Sequence, residues 1–431
     1  MEKFVIRGRR RLSGRVTPSG NKNEALPCIA ATLLTPEPVV LDNVPRIRDV
    51  HVMLDVLIRQ GADVEWLGPN RVRICNAAVE GAELDATLCR RIRASILFAG
   101  PMVARLRRVV LPPPGGDVIG RRRVDTHFHA FEALGAKVHL ENGYDLRADH
   151  LVGTDFFLDE ASVTATENAL MAASLAQGRT TLRNVASEPH VVGLGRMLCS
   201  MGARIEGLGT NTVHIDGVES LSGTEHRIGS DYLEIGSLVG LAAVTGSDIS
   251  IEDVVPDDLR MIRMVFERLG VRTVLSENVL HVPAAQSMTI RADYHGHVPK
   301  IDDSPWPAFP TDLMSIAITV ATQCSGTVLF FEKMFEGRMF FVDHLQNMGA
   351  QIILCDPHRV VVVGPQVLRG GVVESPDVRA GMALLIAGLC SDGETQIYNI
   401  HQIDRGYERM DEKLRALGAD IERVPVEAPP G

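Results

Sequence analysis

The residues best suited to chemistry cluster in residues 111–129, LPPPGGDVIGRRRVDTHFH. Three prolines favour an extended approach and Gly115 and Gly116 then release it, so the spacing predicts a mobile loop over residues 112–123. Asp117 follows the glycines, and Arg121, Arg122 and Arg123 follow Asp117. Cations concentrated beside a hinge-like run suit an anionic small substrate that must be covered during reaction; a surface loop with scattered charge is the bland alternative.

Three further sets have the right chemistry. Residues 18–23, PSGNKN, place a glycine turn and Lys22 at a predicted helix start, where backbone donors and an ammonium can meet an anion. The spacing is not that of a Walker loop, and an ordinary cap beside an exposed lysine is the competing reading. Arg93, Arg122, Arg338, Arg379 and Arg405 recur near predicted element starts and loops, and guanidinium is the group of choice for bidentate phosphate or carboxylate recognition. Asp312, in the run FPTD, either caps the buried helix that follows or serves as a base near a substrate hydroxyl. His127, His129 and His401 form no metal set with matched carboxylates, and no metal is expected.

These groups need elements to position them, and the chain supplies one element pattern six times. An apolar helix ends in Gly-Ala or Gly-Val and a strand-like run departs from it, at Gly61, Gly135, Gly202, Gly270, Gly349 and Gly418. The glycines are 74, 67, 68, 79 and 69 residues apart, which predicts six structural repeats. Each repeat holds a second helix, as in ALMAASLA or MALLIAGLC, that is apolar nearly all round and so is expected in the middle of a domain with sheets outside it. The expected fold is α/β: a two-domain inside-out α/β barrel of six βαβαββ-like units. One lobe spans residues 22–229 and carries the 112–123 loop; the other combines residues 1–21 with 230–431, the strand at residues 4–7 returning to it. Six units split into two lobes because one core seldom grows beyond about 250–300 residues. The lobes are expected to close over a cleft. A partner-binding solenoid is the alternative reading of the repeats.

Composition narrows the function classes. The 431 residues are 45% hydrophobic, and 44 basic against 54 acidic residues leave a formal charge of -10, which argues against a nucleic-acid surface. The seven cysteines form no CxxC pair, as in a reduced intracellular protein. No apolar run approaches the length of a membrane span or export signal, so a cytoplasmic protein without a membrane partner is expected.

Taken together, SGNKN at residues 19–23, RAS at 93–95, PGGDVIGRRRVD at 114–125, FPTD at 309–312 and HQIDRGYERMDEKLRALGADIERV at 401–424 resemble the enolpyruvyl transferase family over nearly the whole chain. The resemblance is strongest to its nucleotide-sugar branch. It implies transfer of the enolpyruvyl group of phosphoenolpyruvate to the 3'-hydroxyl of UDP-N-acetylglucosamine, with release of phosphate, as the first committed step of peptidoglycan synthesis and without a cofactor. It also implies site roles. Lys22, Arg122 and Arg405 would contact phosphoenolpyruvate, Asp312 would accept the hydroxyl proton, and Asn23 and Arg379 would hold the reacting groups. Arg93, Arg338, Phe335, Ser162 and Val163 would line the rest of the pocket. Asp117 stands where most members carry a cysteine that fosfomycin alkylates; a carboxylate there still transfers protons but implies insensitivity to that epoxide. Glu160, Arg123, Thr164 and Tyr232 also depart from the common pattern. They leave open an acceptor such as UMP, and a non-catalytic nucleotide-binding homologue is the remaining alternative.

Overall fold

The six glycines end six helices in the same way. In a computed structural model that describes residues 2–116, 120, 122–141 and 143–426, all six have positive φ, between 83° and 109°. At each, the residue after the glycine donates to the carbonyl five positions back: Ala62 to Leu57, Ala136 to Phe131, Ala203 to Leu198, Val271 to Phe266, Ala350 to Leu345 and Ala419 to Leu414. This is the 6→1 hydrogen bond of a Schellman cap, and a side chain at the positive φ would be strained. The repeated phrase in the sequence is therefore a repeated helix stop.

The sheets repeat as well. Strands Lys300–Asp302 and Gly326–Phe331 pair in parallel, and Gly326–Phe331, Arg359–Gly364 and Gln351–Asp356 then continue antiparallel. The same order of one parallel and two antiparallel pairings holds in the other four four-stranded sheets. In the three-stranded sheet of Arg108–Leu111, Tyr144–Arg147 and Lys137–His139, a parallel bridge between Glu83 and Val110 takes the place of the missing strand.

The chain divides into two compact units, one of residues up to 19 and from 230 onward, the other of residues 20–116 and 122–229. Each holds three sheets. In the first unit the helices Tyr232–Thr245, Met314–Ala321 and Val378–Cys390 pack on one another and are buried almost throughout. The strands around them alternate buried and open positions, so each sheet gives one face to the helices and the other to water. In the second unit Lys22–Ala31, Ala99–Leu106 and Val163–Ala173 are the buried helices. Helices inside and sheets outside are the inside-out α/β arrangement, three repeats to a unit.

Three sheets are completed from far along the chain. Strand Glu225–Arg227 lies parallel to Val39–Asp42, and Ser13–Val16 lies parallel to Asp248–Ile251. The first repeat of each unit thus takes its parallel strand from a distant segment, and Glu2–Arg7 pairs with both Glu394–Tyr398 and Asp420–Pro425. No helix among the described residues is long and apolar enough to cross a membrane.

Candidate active site

Helix starts carry most of the candidate side chains. In the unit of residues 20–116 and 122–229, Asn21 caps Lys22–Ala31, accepting from the N–H groups of Asn23 at 2.8 Å and Glu24 at 3.3 Å. That cap fixes Lys22 as the first helical residue and Asn23, half-buried, as the second. Lys22 Nζ lies 2.8 Å from Asp49 Oδ2 in the first turn of Arg48–Arg59, with the two side chains only 13% and 5% exposed. The lysine is therefore an anchored cation rather than a loose surface one.

The glycines of the loop are placed by close approach. A Cβ on Gly115 would lie 1.7 Å from the carbonyl oxygen of Arg90, and one on Gly116, whose φ is 110°, would lie 2.9 Å from Arg93 Cβ. Only glycine allows this backbone to press on residues 90–93. Arg93 Nη2 in turn donates to the carbonyls of Arg122 at 2.8 Å and Arg123 at 3.0 Å, so both ends of the loop are held by one short segment. Burial lowers the Arg93 pKa, which marks a guanidinium short of water. Ser162 is the N-cap of Val163–Ala173, at 3.4 Å from the Ala165 N–H, and Val163 opens that helix. Asp117 and Arg121, the acid and one cation of the expected loop, lie outside the described residues.

In the other unit the structure brings Asp312, Arg338, Arg379 and Phe335 into one cluster. Asp312 sits in the one-turn helix Thr311–Leu313 that leads into Met314–Ala321, so its side chain is not that helix's cap. Arg338 Nη2 reaches its Oδ1 at 2.5 Å and Arg379 Nε its Oδ2 at 3.1 Å. The Arg338 guanidinium stands over the Phe335 ring at 5.4 Å, and that of Arg379 over Tyr407 at 5.2 Å. Burial alone would raise the Asp312 pKa, but the two guanidiniums hold it well below the usual carboxylate range. Arg338 Nε and Arg379 Nη1 are buried with no hydrogen-bond partner among the described residues. Two unsatisfied cationic donors beside a paired carboxylate are suited to binding an anionic ligand. Arg405 ends the segment Ile400–Arg405 and donates to Gln402 Oε1 at 2.9 Å.

Several supporting residues escaped the sequence reading. Glu332 accepts from Thr311 Oγ1, at 2.9 and 3.0 Å, and from the N–H groups of Met334 and Phe335 at 3.1 and 3.0 Å, so it ties the turn bearing Asp312 to the loop bearing Arg338. Its carboxyl pKa is pushed up by burial and by Asp303. The signal was a lone acid at the end of an apolar strand, FFEK. Lys413 bonds Ser19 Oγ at 2.7 Å and pairs with Glu234, holding residue 19 to Tyr232–Thr245. His127 is buried, with Nε2 3.1 Å from Thr164 Oγ1 and Nδ1 2.9 Å from Asn168 Nδ2; burial and then Arg93 lower its pKa to about 3. It is a neutral strut between two helices.

Asp231 caps Tyr232–Thr245 and its pKa is pushed up to about 6 by burial, against the pull of nearby Arg379. A carboxyl raised above its unfolded value of about 3.9 adds stability that is complete below that value and is lost as pH rises through about 6. Asp231→Asn keeps the cap, so it is expected to flatten the stability profile between about pH 4 and 6. Urea denaturation across that range checks it, and an unchanged slope would refute it.

Three of the four departures noted in the sequence have structural uses. Arg123 pairs with Asp125 at 2.9 Å and Asp159 at 3.0 Å. Tyr232 is buried with its ring 5.7 Å from that of Trp306, and Thr164 is the hydroxyl partner of His127. Nothing among the described residues accounts for the Glu160 side chain.

Residues 6–414 match the family described as EPSP synthase (3-phosphoshikimate 1-carboxyvinyltransferase). A UDP-N-acetylglucosamine 1-carboxyvinyltransferase of Bradyrhizobium diazoefficiens is 56% identical over 422 residues, 98% of each chain. Its namesake in Treponema denticola is 54% identical over 98% of this chain and 99% of the relative. Among solved structures, the enolpyruvyl transferase NikO from Streptomyces tendae superposes with a TM-score of 0.85 over 99% of both chains at 24% identity, a likeness of fold.

Proposed function

The chain belongs to the EPSP synthase family of carboxyvinyltransferases, and we infer from this that it transfers the enolpyruvyl group of phosphoenolpyruvate to the 3'-hydroxyl of UDP-N-acetylglucosamine, releasing phosphate. It is an enzyme of peptidoglycan synthesis. The observation that carries the reading is Asp312 held between Arg338 and Arg379, each with a buried N–H left over, in a chain 56% identical to a transferase of that name.

The reaction fits these groups. A proton added at C3 of phosphoenolpyruvate makes C2 electrophilic, and the sugar oxygen attacks C2 as its own proton passes to Asp312. The tetrahedral adduct then loses a C3 proton and phosphate, which restores the double bond on the sugar ether. Lys22, Arg122 and Arg405 hold the phosphate and carboxylate of phosphoenolpyruvate, and Lys22 or Asp117 moves the C3 proton. Arg338 and Arg379 fix Asp312 as the anion and turn their remaining donors to the substrates. Asn23, Arg93, Ser162, Val163 and Phe335 position the nucleotide sugar.

The direct test is phosphate release with phosphoenolpyruvate and UDP-N-acetylglucosamine, UMP or shikimate 3-phosphate in parallel, with products weighed by mass spectrometry. Release and an enolpyruvyl mass gain with the nucleotide sugar alone is the expected result. Turnover of UMP alone would replace the acceptor, and binding without release would remove the enzymatic reading.

A carboxylate at position 117 is a poorer nucleophile toward an epoxide than a thiolate. Fosfomycin is therefore expected to leave the wild-type enzyme active and unmodified. Asp117→Cys is expected to become inactivated with a mass gain equal to fosfomycin. An adduct on the wild type that persists in Asp117→Asn would overturn the assignment.

A further inference from the structure

Behind Lys22 and Asn23, the next turn of the same helix builds a second polar cluster that the transfer reaction does not use. Glu24 and Cys28 lie one turn apart on Lys22–Ala31, and His226 comes from Glu225–Arg227, the strand supplied from far along the chain. One ligand atom from each lies within 4.8 Å of the other two, and His226 Nε2 is already 2.9 Å from Glu24 Oε1. We propose that Glu24, Cys28 and His226 form a binding site for a divalent transition metal ion, Zn2+ by the chemistry of its donors, that ties this helix to strand Glu225–Arg227.

The donor set is a thiol, an imidazole and a carboxylate, a combination that suits zinc and not magnesium or calcium. Tetrahedral zinc keeps such ligands about 2.0–2.3 Å from the ion, and hence roughly 3.3–3.6 Å from one another. The His226–Glu24 pair is already near that spacing, and the Cys28 thiol lies within 4.8 Å of a donor atom of each. The carboxylate is held for the purpose. Glu24 Oε2 accepts the Gly229 N–H at 3.1 Å, and a Cβ on Gly193 would come within 2.3 Å of the carboxylate carbon. That close approach leaves the Glu24 head group little freedom.

Glu167 is buried, and its Oε1 has no hydrogen-bond partner among the described residues. Glu24 and Cys28 are buried, whereas the His226 side chain keeps 14% of its surface open, which gives the ion an entry and a water the fourth position.

The test uses the full chain stripped with chelator and titrated with Co2+ as a spectroscopic probe for zinc. The expected result is one equivalent bound with a thiolate-to-metal charge-transfer band, displaced by Zn2+, and an unfolding midpoint several degrees higher with Zn2+ than with chelator. Cys28→Ser and His226→Gln should each abolish the band and weaken Zn2+ binding by about 100-fold or more, whereas Cys355→Ser, at an exposed thiol, should change neither. If Cys28→Ser does not fold, His226→Gln carries the same comparison. A band that survives in either ligand variant, one that vanishes in Cys355→Ser, or no binding at all would overturn the proposal.

Discussion

Asp312→Asn is expected to lower kcat by about 10²–10⁴-fold, the range attributable to a positioned general base. Asparagine keeps the shape of the side chain but removes the charge that sits 2.5 Å from Arg338 and 3.1 Å from Arg379. Those guanidinium side chains are only 11% and 6% exposed, so the variant also leaves two buried cations facing one another, at a cost of up to about 3–5 kcal/mol. Saturation kinetics well below the unfolding midpoint separate the two effects, and a kcat within a few-fold of wild type would remove Asp312 as the base. The pH dependence has a definite sign. A carboxyl whose folded pKa is depressed contributes stability above its ordinary value, and loses it only as pH falls through the depressed one. Asp312 therefore stays ionised throughout mildly acidic and neutral solution. A bend in kcat/KM near the ordinary carboxylate value of about 4 must come from another group.

Lys22→Met is expected to reduce kcat/KM about 10²–10³-fold, as loss of one preorganised donor to a charge developing on phosphate would. It should also destabilise the fold by up to about 3–5 kcal/mol, because Lys22 forms a buried ion pair with Asp49. Lys22→Arg keeps the charge and should recover most of the stability but less of the activity, since a planar guanidinium does not replace a compact ammonium. Urea denaturation and initial rates on the same preparations check both. Unchanged stability in Lys22→Met would mean that Asp49 does not anchor the lysine, and unchanged kcat/KM would take Lys22 out of the reaction.

Much of this was legible locally. A Gly-Ala or Gly-Val step after an apolar helix is a short-range signal, since one residue must take positive φ and the next must donate back five positions, and all six steps do so. All-round apolarity placed the inner helices, because a helix with no polar face has to be surrounded. The family motifs named Lys22 and Asp312, and the arginines near predicted element starts included Arg338 and Arg379. The support around them was less visible. Asp49, Asp231, Glu332 and Lys413 are ordinary charged residues in sequence, and only the fold shows that each faces a specific partner. Arg123 and Tyr232, which left another acceptor open in sequence, pair with Asp125 and pack against Trp306 in the fold.

The sequence by itself determined what depends on neighbours along the chain: the period, the helix stops, the inside-out layering and the residue types of the reaction. Tertiary structure alone decided what depends on contacts between distant segments. Strand Ser13–Val16 joins Asp248–Ile251, and Glu225–Arg227 joins Val39–Asp42, across some two hundred residues in each case. Strand pairing is a matter of backbone hydrogen bonds that any residue can make, so no local pattern announces the partner. The same exchange carries His226 to Glu24 and Cys28, and folding of the other unit sets Arg338 and Arg379 on the two oxygens of Asp312.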